Sequence, residues 1–157
     1  APGWRIGYMA FYDPRGILGA PRDGVERILR SRLCASTPAQ YGYLAGLKHD
    51  RLWLKERLNT IERRVDLCMN RIDGIEGLSC NKPGGAFYLF PKIENPSKYG
   101  PDKKFVLDLL HEEHVLVVHG SGFSPQYGSG HFRLVALAPE DLLNEAFDRI
   151  DRFVRSR

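Results

Sequence analysis

The chain has 157 residues, of which 43% are hydrophobic and 27% are charged. This composition is typical of a globular protein and excludes a disordered or collagen-like chain. No apolar run reaches the roughly 18 residues that a membrane span needs, and the net charge of +4 leaves an anionic ligand or a nucleic acid to be considered.

The N-terminal third of the sequence predicts one strand and two helices. The apolar run of residues 6 to 11 is typical of a short buried strand, and Asp13-Pro14-Arg15-Gly16 predicts a turn after it. Helices are expected over about residues 23 to 35 and residues 40 to 47. Because the sequence opens inside an element and has no initiator methionine, we expect it to be part of a longer protein.

A long helix follows. Its apolar residues recur at alternating intervals of four and three positions, which places them on one helix face. They are Leu54, Leu58, Ile61, Val65, Cys68 and Ile72. With its flanks the predicted helix occupies residues 47 to 76, on the order of 40 Å at 1.5 Å per residue. This length exceeds what the small sheet after it requires, so we expect a helix that connects two domains.

The C-terminal half alternates between strands and helices. The predicted strands are residues 86 to 90, 115 to 118 and 132 to 138, and the predicted helices are residues 102 to 110 and 139 to 154. Asp102 is a candidate N-cap, and Pro139 is typical of a first helical turn. This order predicts the α+β class, with helices covering a small mixed or antiparallel sheet.

Cysteine and histidine patterns favour neither a disulfide framework nor a metal site. Cys34, Cys68 and Cys80 show no C-x-x-C spacing, so we expect reduced thiols and a cytoplasmic location. His111 and His114 are three residues apart, whereas zinc-binding helices place two histidines four apart. No metal is therefore expected.

Most arginines alternate with acidic residues in the predicted helices, which is typical of a solvated face and disfavours a nucleic-acid binder. Arg5 and Arg133 differ because their neighbours in sequence are apolar. A buried guanidinium without a partner would cost several kcal/mol, so each needs an anion. The sequence leaves open an internal carboxylate or a bound phosphate or carboxylate, which arginine binds through two parallel hydrogen bonds.

Three segments resemble the class I, fold-type-I pyridoxal-phosphate aminotransferases. Pro2-Gly3-Trp4-Arg5-Ile6-Gly7-Tyr8 is similar to the segment after the family's Schiff-base lysine, and Pro83-Gly84-Gly85-Ala86-Phe87-Tyr88 is similar to its P-x-G-A-F-Y strand. Gly120-Ser121-Gly122-Phe123 and Phe132-Arg133-Leu134 are similar to its carboxylate-binding segment. The order and spacing of these segments extend over nearly the whole chain, and the last resembles the alanine aminotransferase branch most.

The resemblance implies the C-terminal part of such an enzyme. Residues 1–46 would be the end of the large cofactor-binding domain, residues 47–76 the connecting helix and residues 77–157 the small α+β domain. The implied activity transfers an amino group between an amino acid, alanine or aspartate, and a 2-oxo acid such as 2-oxoglutarate. The parent protein would be a cytoplasmic homodimer that uses pyridoxal 5'-phosphate, with no membrane or nucleic-acid partner.

The resemblance also implies roles for individual residues. Arg5 would bind the cofactor phosphate, and Arg133 would bind the α-carboxylate of the substrate. Phe87 would line the substrate site, although a core aromatic is equally compatible with its sequence context. Ser36 and Thr37 match positions that, in some members, approach the cofactor phosphate of the neighbouring subunit.

The family's catalytic lysine matches no residue of this sequence and is expected upstream of Ala1, so the chain alone is expected to be inactive. An alternative is the aminotransferase-like, ligand-sensing domain of a transcription regulator, which binds the cofactor without turnover. His119 stands where many members have proline, and residues 124 to 126 alter the loop before Arg133. The substrate's side chain therefore stays open.

Overall fold

The computed structural model describes residues 2–157, which form two compact units divided after Trp53. The first unit contains a 3-10 turn (Pro2–Trp4) and the helices α1 (Gly19–Ser31) and α2 (Thr37–Lys48). Both predicted helices are present, with α1 four residues earlier than expected. Pro38 lies in the first turn of α2, where its missing N–H leaves no hydrogen bond unmade.

The strand predicted at residues 6 to 11 is absent, and this prediction was wrong. Within residues 2–157 the segment pairs with no strand, and Tyr8 and Met9 are exposed. A strand is stabilised by hydrogen bonds to a neighbouring strand, which an apolar run cannot supply by itself.

Helix α3 (Leu52–Asp73) has 22 residues, about 33 Å at 1.5 Å per residue. The connecting helix predicted over residues 47 to 76 was therefore too long at both ends. Residues 47 and 48 belong to α2, and residues 49 to 51 separate the two helices. Its buried residues, Val65, Cys68 and Ile72, lie on the apolar face expected from the spacing.

The second unit contains two antiparallel sheets. One has the strand order β2-β5-β4, and the other pairs β1 with β3. The strands are β1 (Leu78–Ser79), β2 (Tyr88–Leu89), β3 (Lys92–Ile93), β4 (Val118–His119) and β5 (Phe132–Val135). A bridge between Lys92 and His131 links the sheets. The α+β prediction is confirmed, although every strand is short.

Three further helices complete this unit: α4 (Pro96–Tyr99), α5 (Asp102–Glu113) and α6 (Glu140–Arg155). They share one core with α3 and the strands. Phe105 of α5 is its centre, with ring centroids 5.3 Å from Phe132 and 5.2 Å from Phe153. No helix formed by residues 2–157 is both long enough and apolar enough to cross a membrane.

Strand β5 separates the core from the candidate site. Phe132 and Leu134 are buried, whereas Arg133 between them is only half-buried. Successive side chains of a strand point to opposite faces, so the two apolar neighbours anchor the strand while Arg133 projects from the other face. The core thereby fixes the position of this arginine.

Candidate functional site

Arg133 lies on the central strand of the β2-β5-β4 sheet, and its charge forms no ion pair within residues 2–157. Its Nε is buried and makes no hydrogen bond within residues 2–157. None of the ion pairs among those residues includes Arg133. Of the two partners that the sequence left open, the internal carboxylate is therefore excluded in the described chain. Within residues 2–157 the guanidinium is thus left without an anionic partner.

Two aromatic rings contact the Arg133 guanidinium. Its central carbon lies 4.9 Å from the ring centroid of Tyr88 and 4.4 Å from that of Phe123. Both distances lie within the range of cation–π interactions. The rings hold the charge without using its N–H groups as hydrogen-bond donors.

Phe87 contacts Tyr88, one of the two rings beside Arg133. Its half-buried ring lies 4.6 Å from the ring of Tyr88, and its carbonyl oxygen accepts a hydrogen bond from the Ala136 N–H at 2.9 Å. Phe87 is not part of the buried core. Its role in lining a substrate site stays a prediction.

The loop that carries Phe123 is held by polar contacts. The buried carboxylate of Asp102, only 5% exposed, accepts a hydrogen bond from the Ser121 N–H at 2.6 Å. The Nδ1 atom of His119 accepts one from the Gly122 N–H at 3.1 Å. Asp102 was expected to be the N-cap of α5, but Pro101 occupies that position. The Asp102 carboxylate instead accepts the hydrogen bond from the loop at Ser121.

Two glycines close this loop by direct backbone contact. A Cβ atom on Gly128 would overlap the Gly120 carbonyl and lie 2.7 Å from the carbonyl oxygen of Ser124. The Gly128 N–H also donates to that Ser124 oxygen at 2.8 Å. Only glycine at position 128 allows this approach.

We expect Gly128→Ala to destabilise the chain by about 1–3 kcal/mol, the usual cost of overpacking. Thermal unfolding followed by circular dichroism should show a midpoint several degrees lower. Gly84→Ala is the matched control, because a Cβ there meets no atom within 4 Å. Equal midpoints for the two variants would contradict the close approach.

Arg5 lies in the first unit on a segment supported by α2. The Trp4 ring packs against Gly42, where a Cβ would overlap it, and the Tyr8 ring lies 6.2 Å from Tyr43. Arg5 itself is exposed and has a φ of +56°, in the left-handed region that non-glycine residues rarely adopt. The apolar neighbours of Arg5 in sequence therefore do not bury it within the described chain.

Ser36 and Thr37 are exposed at the start of α2, where Ser36 occupies the N-cap position without a side-chain hydrogen bond to the helix. The contact implied for them with a neighbouring subunit's phosphate stays a prediction.

The cysteines differ in exposure: Cys34 is exposed, Cys80 is half-buried and Cys68 is buried. All three are free, and burial raises the pKa of the Cys68 thiol to about 11, which keeps it protonated at neutral pH. Residues 2–157 place no three His, Cys, Asp or Glu side chains where they could hold a metal ion.

The sequence did not predict that Tyr88 contacts Arg133, that Asp102 binds the loop at Ser121, or that Trp4 packs against Gly42. For Tyr88, the register of the strands explains the contact. Tyr88 pairs with Val135, so it lies diagonally across from Arg133 on the same sheet face. The run of residues 83 to 88 alone gives no register.

Arg133 thus lies on the central strand of a small antiparallel sheet, with its Nε unpaired within residues 2–157. The sequence profile of aminotransferase class I and II matches residues 1–150. The chain belongs to this family, whose members use pyridoxal 5'-phosphate.

The structure resembles an alanine aminotransferase from Pyrococcus furiosus with a TM-score of 0.88 and 49% identity, covering 99% of this chain and 39% of that one. A glutamate-pyruvate aminotransferase of Haemophilus influenzae is 35% identical over 97% of this chain and 38% of its own length. An aspartate aminotransferase of Bacillus subtilis is 37% identical over 97% of this chain and 37% of its own length. The chain thus spans less than two fifths of each relative.

Proposed function

We propose that this chain is the C-terminal part of a pyridoxal-phosphate aminotransferase. The enzyme would transfer an amino group between an amino acid, alanine or aspartate, and a 2-oxo acid such as 2-oxoglutarate. The observation on which this rests is Arg133, a half-buried guanidinium without an acidic partner in the described chain. The names of the alanine, glutamate-pyruvate and aspartate aminotransferases that the chain resembles support these substrates.

Arg133 would bind the α-carboxylate that amino-acid substrates and 2-oxo-acid substrates share. A planar guanidinium pairs with a carboxylate through two parallel hydrogen bonds, which fixes the direction of the bound molecule as well as its position. Orientation is essential here, because the Cα–H bond must be held in the geometry in which its proton can leave. One arginine can serve both halves of the exchange, since the carboxylate is the same in each.

Arg5 would bind the phosphate of the cofactor. Its guanidinium is exposed and belongs to none of the ion pairs formed by residues 2–157, so its donors fit a dianionic phosphate. When bound, the cofactor supplies an electrophilic carbonyl group and a conjugated ring that withdraws electrons from the substrate's Cα. Phe87 would line the substrate side of the site.

The lysine that removes the Cα proton would lie in another part of the longer protein. The purified 157-residue chain, mixed with pyridoxal phosphate, alanine and 2-oxoglutarate, should therefore form no pyruvate. The longer protein that contains it should form pyruvate from alanine or oxaloacetate from aspartate. Robust turnover by the chain alone would contradict the placement of the lysine, and an inactive longer protein would contradict the function.

We expect Arg5→Ala in the longer protein to weaken the apparent affinity for pyridoxal phosphate by about 10- to 100-fold. A hydrogen bond to a charged group is worth about 1.5–3 kcal/mol, and 1.4 kcal/mol corresponds to a factor of ten. The measurement is activity regained by the cofactor-free protein as pyridoxal phosphate is added. Arg15→Ala, at another exposed arginine of the first unit, should leave this titration unchanged.

The proposal includes a homodimer in the cytoplasm. The dimer follows from the family resemblance, and the three free cysteines support a reducing compartment. Light scattering of the longer protein should give twice the mass of one chain.

A further inference from the structure

We propose that Tyr88 and Phe123 are positioning residues that hold the Arg133 guanidinium in the orientation in which it receives the substrate carboxylate. We call the two rings the aromatic clamp. This inference rests on the proposed function of Arg133 and names residues that the function by itself does not require.

The two rings of the aromatic clamp lie on opposite sides of the central strand β5. Tyr88 belongs to β2 on one side of β5, and Phe123 lies in the loop that follows β4 on the other side. The two ring centroids lie 4.9 and 4.4 Å from the central carbon of Arg133. Both rings therefore meet one guanidinium, although they are 35 positions apart in sequence.

Phe123 is itself fixed in place. Its ring meets the Phe90 ring edge to face, with centroids 6.1 Å apart, and Phe90 stacks on His131 at 5.2 Å. The Phe123 N–H donates to the Gly120 carbonyl at 2.8 Å. Because both the backbone and the ring of Phe123 are held in this way, the ring restricts the movement of the Arg133 side chain that it contacts.

The two rings restrict the Arg133 side chain without occupying its N–H donors. An arginine side chain loses much rotamer freedom when it binds a ligand in one geometry. Rings that contact the guanidinium remove part of that freedom in advance and leave its N–H donors for a carboxylate.

The kinetic test uses the longer protein. We expect Phe123→Leu and Tyr88→Leu each to raise KM for alanine and for 2-oxoglutarate about three- to tenfold, in line with a cation–π contact at a partly exposed site. The value of kcat should change less than about twofold, because the clamp acts on binding of the carboxylate. Phe123→Tyr and Tyr88→Phe keep the rings and should retain the wild-type KM. Tyr127→Leu is the control, an exposed aromatic in the same loop.

A second readout needs no turnover and uses the 157-residue chain. The NMR signal of the Arg133 Nε–H group, shifted by the two rings, should move in Phe123→Leu toward the position of exposed arginines. Titration with 2-oxoglutarate should shift this signal in the wild type, and the leucine variants should need about three- to tenfold more ligand. Tyr127→Leu should behave as the wild type.

The outcomes separate the inference from the proposed function. Wild-type KM values and wild-type titrations in both leucine variants overturn the clamp, even when the enzyme transfers amino groups as proposed. An inactive longer protein overturns the proposed function, and the titration of the isolated chain still decides whether the clamp prepares Arg133 for a carboxylate.

Discussion

Arg133→Ala in the longer protein should lower kcat/KM for amino-acid and 2-oxo-acid substrates by at least about 30-fold. Removal of one partner from a desolvated charge pair costs about 2–5 kcal/mol, and 1.4 kcal/mol corresponds to a factor of ten. Steady-state kinetics with alanine and 2-oxoglutarate measure this loss. Affinity for pyridoxal phosphate should change little, because the cofactor phosphate is assigned to Arg5.

Arg133→Lys is the informative companion variant. Lysine keeps the positive charge but lacks the planar fork that pairs with both carboxylate oxygens, so it should recover only part of the lost activity. The aromatic clamp would also fit a compact ammonium group less well than a flat guanidinium. Full activity in the lysine variant, or equal losses of substrate and cofactor affinity in Arg133→Ala, would contradict the assigned roles.

The helices could be predicted from the sequence because their signal is local. The apolar residues of α3 and α6 recur every three or four positions, and in α6 these include the buried Leu143, Phe147 and Ile150. For the predicted helices the errors lie at the ends, where propensity and caps compete over a few residues, whereas the short helix α4 (Pro96–Tyr99) was not predicted. At the start of α3, for example, residues 49 to 51 interrupt an apolar pattern that continues from α2.

The strands could be predicted only coarsely, because a strand depends on a partner far away in sequence. Residues 86 to 90 were expected to form one strand, yet Ala86 has a φ of +60° and pairing is limited to Tyr88 and Leu89. The pairing of β1 with β3 was not foreseen, since Pro91 was predicted to end the strand before Lys92. Residues 6 to 11 have the composition of a strand and no partner in the described chain.

The sequence could identify Arg133 as a site residue, but it could not predict which side chains surround it. Apolar neighbours and the family segments single out Arg133, whereas its lack of an acidic partner among residues 2–157 is a property of the fold. The contact with Tyr88 depends on strand register, and the contact with Phe123 depends on a loop closed by Gly120 and Gly128. Such features arise between distant residues, so no local pattern records them.

The core beneath Arg133 provides the largest expected effect on stability. Phe105 is fully buried, with its ring 5.3 Å from the rings of both Tyr99 and Phe132 and 5.2 Å from that of Phe153. Phe105→Ala should cost about 3–5 kcal/mol, because it removes the buried ring and leaves a cavity. Thermal unfolding of the 157-residue chain should show a midpoint about 10 °C lower.

Leu107→Ala tests whether this loss comes from the core, since Leu107 lies on the same helix and is 44% exposed. Its cost should stay within about 0.5–1 kcal/mol, and equal midpoints for the two variants would exclude Phe105 as the centre of the core. Because Phe132 packs on Phe105 and directly precedes Arg133, the Phe105→Ala variant should also lose the ring-shifted Arg133 Nε–H signal on heating before Leu107→Ala does. The same aromatic packing would then stabilise the unit and hold its carboxylate-binding arginine in place.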